Sequence, residues 1–192
     1  GAGSGKTRTI TYRVAYLMLT GVQPSQILLA TFTNKAAREM LSRVETLTGG
    51  DAGPIWGGTF HAIGNRLLRQ HAPRIGRQPN YSILDEEDQR DLLKLCVTEL
   101  QISVEAKRFP SPAVIGDLLS MAFNTQRPLP TVVETQAPHF APWIDELERV
   151  SARYAAKKRA ANAMDYDDLL RFWWELLERH PDANACLGCF IA

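Results

Sequence analysis

The sequence predicts an α/β fold with a parallel sheet, interrupted by an all-helical stretch. Three observations carry that expectation. The chain opens on Gly1-Ala2-Gly3-Ser4-Gly5-Lys6-Thr7, which runs straight into amphipathic helical periodicity. Two short apolar runs, at 27–32 and 55–59, are each followed by another amphipathic stretch. From 85 to 162 strand-like runs cease and apolar residues recur at helical spacing. Loop, helix, strand, helix, strand, helix, joined by right-handed crossovers, builds a parallel sheet.

Each element has its own signal. Ile10, Val14, Leu17 and Met18 fall at i, i+4, i+7 and i+8, one face of a helix. Gly21 is its expected stop, and Pro24 marks the turn. Ile27-Leu28-Leu29-Ala30-Thr31-Phe32 is short, apolar and bounded, as in a strand covered on both faces. Asn34 is expected to cap the next helix, whose inner face is Ala37, Met40, Leu41 and Val44. Gly49-Gly50 ends it. Ile55 to Thr59 reads as a weaker strand, followed by a helix carrying Ile63 and Leu67. Tyr81-Ser82-Ile83-Leu84 is a last short strand. Asp85 caps a helix reaching about Leu100, and Ser111-Pro112 opens another with Ile115, Leu118, Leu119 and Ala122 inward. Pro128, Pro130, Pro138 and Pro142 are expected to punctuate a loop. A long helix runs from about Trp143 through Leu147, Val150 and Tyr154. A further helix starts at Asp165, with Tyr166, Leu169, Leu170, Trp173 and Leu177 facing inward.

Composition narrows the class. With 192 residues there is room for one large domain or two small ones. A net charge of +1 predicts no strong global field, so any nucleic-acid site must be a local patch. No apolar run approaches the roughly 18–20 residues that span a bilayer, so no membrane partner is expected. Cys96, Cys186 and Cys189 are too few for a disulfide framework and fit a reducing cytoplasm. Cys186 and Cys189 have zinc-ligand spacing, but no second pair exists and structural zinc takes four ligands.

The opening stretch is nearly all of the phosphate-binding pattern G-x-x-x-x-G-K-[ST]. Glycine reaches φ > 0 without a Cβ clash, so successive N–H groups can turn inward as an anion nest. The helix after it aims its N-terminus at the same phosphates. Lys6 supplies a point charge for the β and γ phosphates, and the Thr7 hydroxyl can ligate Mg²⁺. The chain begins inside the pattern, so it is expected to be a fragment.

Two further segments sit where a strand ends and a helix begins. Thr31-Phe32-Thr33-Asn34-Lys35-Ala36-Ala37 offers an aromatic for base stacking, hydroxyls and an amide for phosphate, and a helix N-terminus. Gly58-Thr59-Phe60-His61 repeats the arrangement. The alternative for either segment is a strand-to-helix turn with a core Phe.

The phosphate loop with Arg8, then TFTNKAA, then GTFH, at this spacing, resembles the superfamily 1 DNA helicases of the UvrD, PcrA and Rep type. Tyr81-Ser82-Ile83-Leu84-Asp85 is similar to the entry into that family's helical insertion. Met164-Asp165-Tyr166-Asp167-Asp168-Leu169-Leu170 is similar to the return into its core lobe. The resemblance covers 1 to about 180. It implies a RecA-like lobe over 1–84, a helical insertion over 85–162, and a return to the lobe over 163–192. It further implies an ATP-driven translocase on single-stranded DNA that unwinds duplex and moves 3′ to 5′. On that basis Gly1, Ala2, Gly3, Ser4, Gly5, Lys6 and Thr7 hold ATP and Mg²⁺, and Arg8 assists at the nucleotide. Phe32, Thr33, Asn34 and Lys35 contact single-stranded DNA, with Thr59, Phe60 and His61 as a second contact, and the insertion lies near the duplex junction.

The family's Asp-Glu motif and second motor lobe are not among these residues, so this piece is expected not to hydrolyse ATP usefully by itself. Arg149, Arg153, Lys157, Lys158 and Arg159 make the end of the long helix basic. They read either as duplex-backbone contacts or, slightly favoured, as a solvated face with apt charge at a helix C-terminus. Asp165 and Asp168 read first as a cap and an acidic first turn. Competing readings are a helicase-nuclease subunit of the RecB or AddA type, a nucleotide or metabolite kinase, and a non-catalytic single-stranded DNA-binding piece. The kinase reading leaves TFTNKAA and GTFH without a purpose.

Overall fold

The structure is a computed structural model and describes residues 5–50, 54–102 and 109–180. Its helices are α1 (Lys6–Leu19), α2 (Asn34–Thr48), α3 (Phe60–His71), α4 (Glu86–Glu99), α5 (Pro112–Thr125), α6 (Leu129–Gln136), α7 (Ile144–Ala160) and α8 (Tyr166–Arg179). Its strands are β1 (Leu28–Thr31), β2 (Trp56–Thr59), β3 (Ser82–Ile83) and β4 (Ala163–Met164). Among the described residues the chain is mostly helical, with two small parallel sheets. No described helix is long and apolar enough to cross a membrane. The chain forms two compact units, Gly1–Pro79 with Leu170–Ala192, and Asn80–Leu169.

In the first unit β1 and β2 pair in parallel, Leu28 opposite Trp56 and Thr31 opposite Thr59. Helix α2 is the crossover between them. Val14 and Leu17 of α1, Leu29 of β1, and Met40 and Val44 of α2 share one core with Ile27 and Ile55. Helix α1 stops as the sequence predicts. Gly21 takes φ 97°, its N–H bonds the Met18 carbonyl, and the Val22 N–H reaches back to Leu17. That closes the last turn in a Schellman motif. Gly57 lies in the strand because α2 approaches it closely. A Cβ there would stand 2.7 Å from Leu41 Cδ1.

Three expectations about this chain's elements are corrected. Thr33, not Asn34, caps α2: its Oγ1 accepts the Ala36 N–H at 3.1 Å, and Asn34 is already helical. Thr33 holds the extended backbone a cap requires, which a residue inside the first turn cannot. The proline-rich stretch is not a loop. It forms α6, followed by a 3₁₀ segment Pro138–Trp143. Pro128 is the N-cap and Pro130 lies in the first turn, where no backbone N–H is needed. Tyr166 does not face inward but is 45% exposed, and Leu176 is buried in that stretch instead.

The second unit packs α4, α5, α6 and α7 around Leu93, Cys96, Ile115, Val133, Leu147 and Val150. Asp85 caps α4 with a reciprocal bond from Asp88, and Ser111 caps α5 with Pro112 in its first turn. Phe109 meets Trp143 edge to face, with ring centroids 5.5 Å apart. The expected strand at Tyr81–Leu84 shortens to β3, because its partner β4 offers only two residues. Strand β4 was not legible in the sequence. Asn162, at φ 46°, turns the chain out of α7 into β4, and its side-chain amide donates to Asn80 Oδ1 at 3.3 Å.

Candidate functional site

The phosphate-loop residues Gly1, Ala2, Gly3 and Ser4 lie outside the described residues, as does the Lys6 side chain. The junction of the loop with α1 is defined. Gly5 adopts φ 73° and ψ 0° as the N-cap of α1. A Cβ there would meet nothing within 4 Å, so conformation rather than space calls for glycine. The Gly5 carbonyl accepts the Thr9 N–H at 2.9 Å and starts the helix. Among the described residues no side chain caps α1, and no acid stands in its first turn. Its first N–H groups have no intrahelical partner and lie at the positive end of the helix dipole. Thr7 and Arg8 are exposed beside them, and the Arg8 guanidinium lies 5.5 Å from the Tyr12 ring centroid. An uncapped helix start, a left-handed glycine and an exposed hydroxyl fit a polyphosphate with its divalent cation.

The two strand-end segments come together because β1 and β2 are in register. Thr31 pairs with Thr59, so the next residues, Phe32 and Phe60, leave the sheet side by side. Their ring centroids are 5.6 Å apart at 52°. Phe32 is 89% exposed, which excludes the core-Phe alternative for it, whereas Phe60 is half-buried. Thr31, Phe32, Thr59, Phe60, His61 and Leu170 line a cleft of about 350 Å³. Thr59 caps α3 by accepting the Ala62 N–H at 3.2 Å, as Thr33 caps α2. Each hydroxyl keeps its proton to donate. Asn34 and Lys35 are exposed in the first turn of α2. Leu170 is a wall of the cleft that sequence reasoning missed; it read only as an inward face of α8.

Charge is divided between the units in a way the total conceals. The first unit's sequence holds twelve Lys and Arg against six Asp and Glu, a net +6. The second holds ten against fifteen, a net −5. The phosphate-loop helix and the aromatic cleft both belong to the positive unit. A count over segments rather than over the chain finds this from sequence alone.

The UvrD/REP helicase N-terminal domain family matches residues 1–187. The chain belongs to this family. It is 38% identical over 183 residues to the ATP-dependent DNA helicase PcrA of Staphylococcus epidermidis, and 37% identical to the protein of that name from Staphylococcus aureus. Each match takes in 95% of this chain and 24% of the relative, so the chain spans about a quarter of the length of these curated relatives.

In this UvrD/REP domain the basic end of α7 is mostly engaged internally. Arg153 and Lys157 both grip Glu99, at 2.7 and 2.6 Å. Their hydrogen bonds hold the Glu99 carboxyl below its ordinary pKa. Lys158 is buried, its Nζ 2.5 Å from both Asp165 and Asp168. Neither a free duplex-binding surface nor a wholly solvated face describes these residues. Arg149 and Arg159 are exposed. The signal for Lys158 was present: 147, 150, 154 and 158 fall on one stripe of α7, so the lysine shares the apolar face. Asp165 also caps α8, accepting the Asp168 N–H at 2.8 Å. Tyr154 donates its hydroxyl to Asp165 Oδ2 at 2.9 Å, and burial, then the Asp165 charge, pushes its phenol far above the usual range. Cys186 and Cys189 lie outside the described residues.

Proposed function

We propose that this chain is part of an ATP-dependent DNA helicase, carrying the nucleotide-binding end and a single-stranded DNA contact of one motor lobe. In this reading residues 1–84 and 163–192 form a RecA-like lobe, and 85–162 form a helical insertion near the duplex junction. The observation that carries it is the in-register pairing that sets Phe32 and Phe60 together at the carboxyl ends of parallel strands, in the unit of net +6. Ligands of open α/β sheets bind at that edge. The relatives' names, ATP-dependent DNA helicase PcrA, agree with it.

The residues divide the work. The loop 1–5 and the first turn of α1 hold the phosphates of ATP, with Lys6 on the β and γ groups, the Thr7 hydroxyl on Mg²⁺ and Arg8 beside the nucleotide. When bound, ATP–Mg²⁺ supplies the anhydride whose cleavage drives the cycle. Phe32 offers a stacking face for a base, while Thr33, Asn34, Lys35, Thr59 and His61 offer donors and charge to the backbone. A stacking face accepts every base, as movement along DNA of any sequence requires. Translocation in the 3′-to-5′ direction, joining to a second motor lobe and residence in the cytoplasm complete the reading.

The test is ATP hydrolysis by the full-length protein, with and without single-stranded DNA. Stimulation by DNA, abolished by Lys6→Ala, supports the reading. Hydrolysis indifferent to DNA would leave the phosphate loop standing and remove the DNA assignment, in favour of a kinase-like enzyme.

A further inference from the structure

We infer that the aromatic cleft holds a single base, stacked on Phe32 alone, and that Phe60 is a positioning residue which sets the Phe32 ring and does not itself stack. This rests on the single-stranded DNA reading above. Sequence similarity between the two segments suggests two equivalent stacking sites, but the geometry separates them.

A base inserted between two rings needs them parallel and about 7 Å apart, twice the ~3.4 Å stacking rise. Phe32 and Phe60 are tilted by 52° with centroids 5.6 Å apart. That is the range of an aromatic pair in direct contact, with no slot between the rings. The pair is also unequal. Phe32 is 89% exposed and follows the last residue of β1. Phe60 is half-buried and opens α3. One ring has a face to give to a ligand; the other is spent supporting it. An aromatic that is nearly nine-tenths exposed has few neighbours to fix its rotamer, so contact with Phe60 is what fixes its plane.

The rest of the cleft agrees. Leu170 adds an apolar wall, Thr31 and Thr59 lie at the strand ends, and His61 brings an imidazole to the lining. At about 350 Å³ the cleft suits one nucleoside better than a run of stacked bases.

The experiment measures binding of the nucleotide-free, full-length protein to a short oligothymidylate and to the same oligomer with abasic sites. Phe32→Ala is expected to weaken binding to oligothymidylate by about 5- to 150-fold and to leave binding to the abasic oligomer unchanged. Phe60→Ala is expected to have a smaller effect, which vanishes when Phe32 is already Ala. Phe60→Leu, which keeps an apolar support without a stacking face, is expected to restore most of the affinity, whereas Phe32→Leu does not. Independent, additive losses with no rescue by Phe60→Leu would overturn the positioning role and leave two stacking sites. No loss from Phe32→Ala on either oligomer would overturn the single-stranded DNA reading itself. The Leu variants guard against a fold effect, since they keep apolar contact at both positions.

Discussion

Lys158 Nζ lies 2.5 Å from Asp168 Oδ2, and the two side chains are only 8% and 11% exposed. Asp165 Oδ2 lies 2.5 Å from the same ammonium. One buried cation is thus shared by two carboxylates, tying the end of α7 to the start of α8. Removing one partner of a buried ion pair strands the other charge, at a cost of about 3–5 kcal/mol. Lys158→Met is therefore expected to be severely destabilising. Adding Asp165→Asn and Asp168→Asn to it should recover much of the loss, because no buried charge then remains. Urea unfolding midpoints of the three proteins check this.

Two carboxylates of the helical unit give opposite pH dependences. Burial first, and then the neighbouring Asp165 charge, raises the Asp168 pKa above 3.8, with Lys158 acting against them. Its folded form keeps a proton that the unfolded chain has lost. Its contribution is complete below the ordinary carboxylate pKa and is lost as pH rises through the folded value. Glu99 is depressed below 4.5 by Lys157 and Arg153, so its contribution is present above that value and lost as pH falls through the folded one. Asp168→Asn is expected to flatten the decline of stability with rising pH, and Glu99→Gln to flatten the decline with acidification. Thermal unfolding across the acid range separates the two.

The cap assignment at α2 is equally direct. Thr33→Ala is expected to cost about 1 kcal/mol and Thr33→Ser close to nothing, since serine supplies the same acceptor. Asn34→Ala is expected to change stability by only a few tenths of a kcal/mol, because Asn34 is not the cap. If the order of the two alanine variants reverses in denaturant unfolding, Asn34 is the cap after all.

Gly5 sits at φ 73° with open space around the place of a Cβ. Gly5→Ala should cost about 1–2 kcal/mol through backbone strain alone, and Gly5→Asn less, because asparagine tolerates the left-handed region. The same order is expected in nucleotide affinity, read by fluorescence titration with a labelled ATP analogue.

The division of charge predicts which cations meet DNA. Lys35→Ala is expected to lower the slope of log affinity for single-stranded DNA against log salt by about 0.7, the value for one phosphate contact. Arg153→Ala with Lys157→Ala should leave that slope unchanged, since both side chains are held by Glu99.

Much of this was legible because the local signals were strong and agreed with one another. Ile10, Val14, Leu17 and Met18 gave α1 by period, and Asp85 and Ser111 gave their caps by type and position. The strand-to-helix junctions at Phe32 and Phe60 could be located, but their contact could not, because register between strands is a tertiary property. The prolines misled: two of them occupy the start of α6, the one part of a helix where proline is at home. Strand β4 escaped because two residues carry no period. Leu170 was legible as apolar but not as a wall of a cleft, because its neighbours come from two strand ends far away in sequence.

The in-register pairing of β1 with β2 has one more consequence. Because Thr31 and Thr59 are partners, α2 and α3 start from adjacent strand ends, and both helices present their N-termini along one edge of the sheet. Peptide dipoles from two helices therefore add there, each equivalent to roughly half a positive charge. That part of the local potential belongs to the backbone. It has no pKa, it survives replacement of every lysine and arginine nearby, and only salt or unpairing of the two strands can remove it.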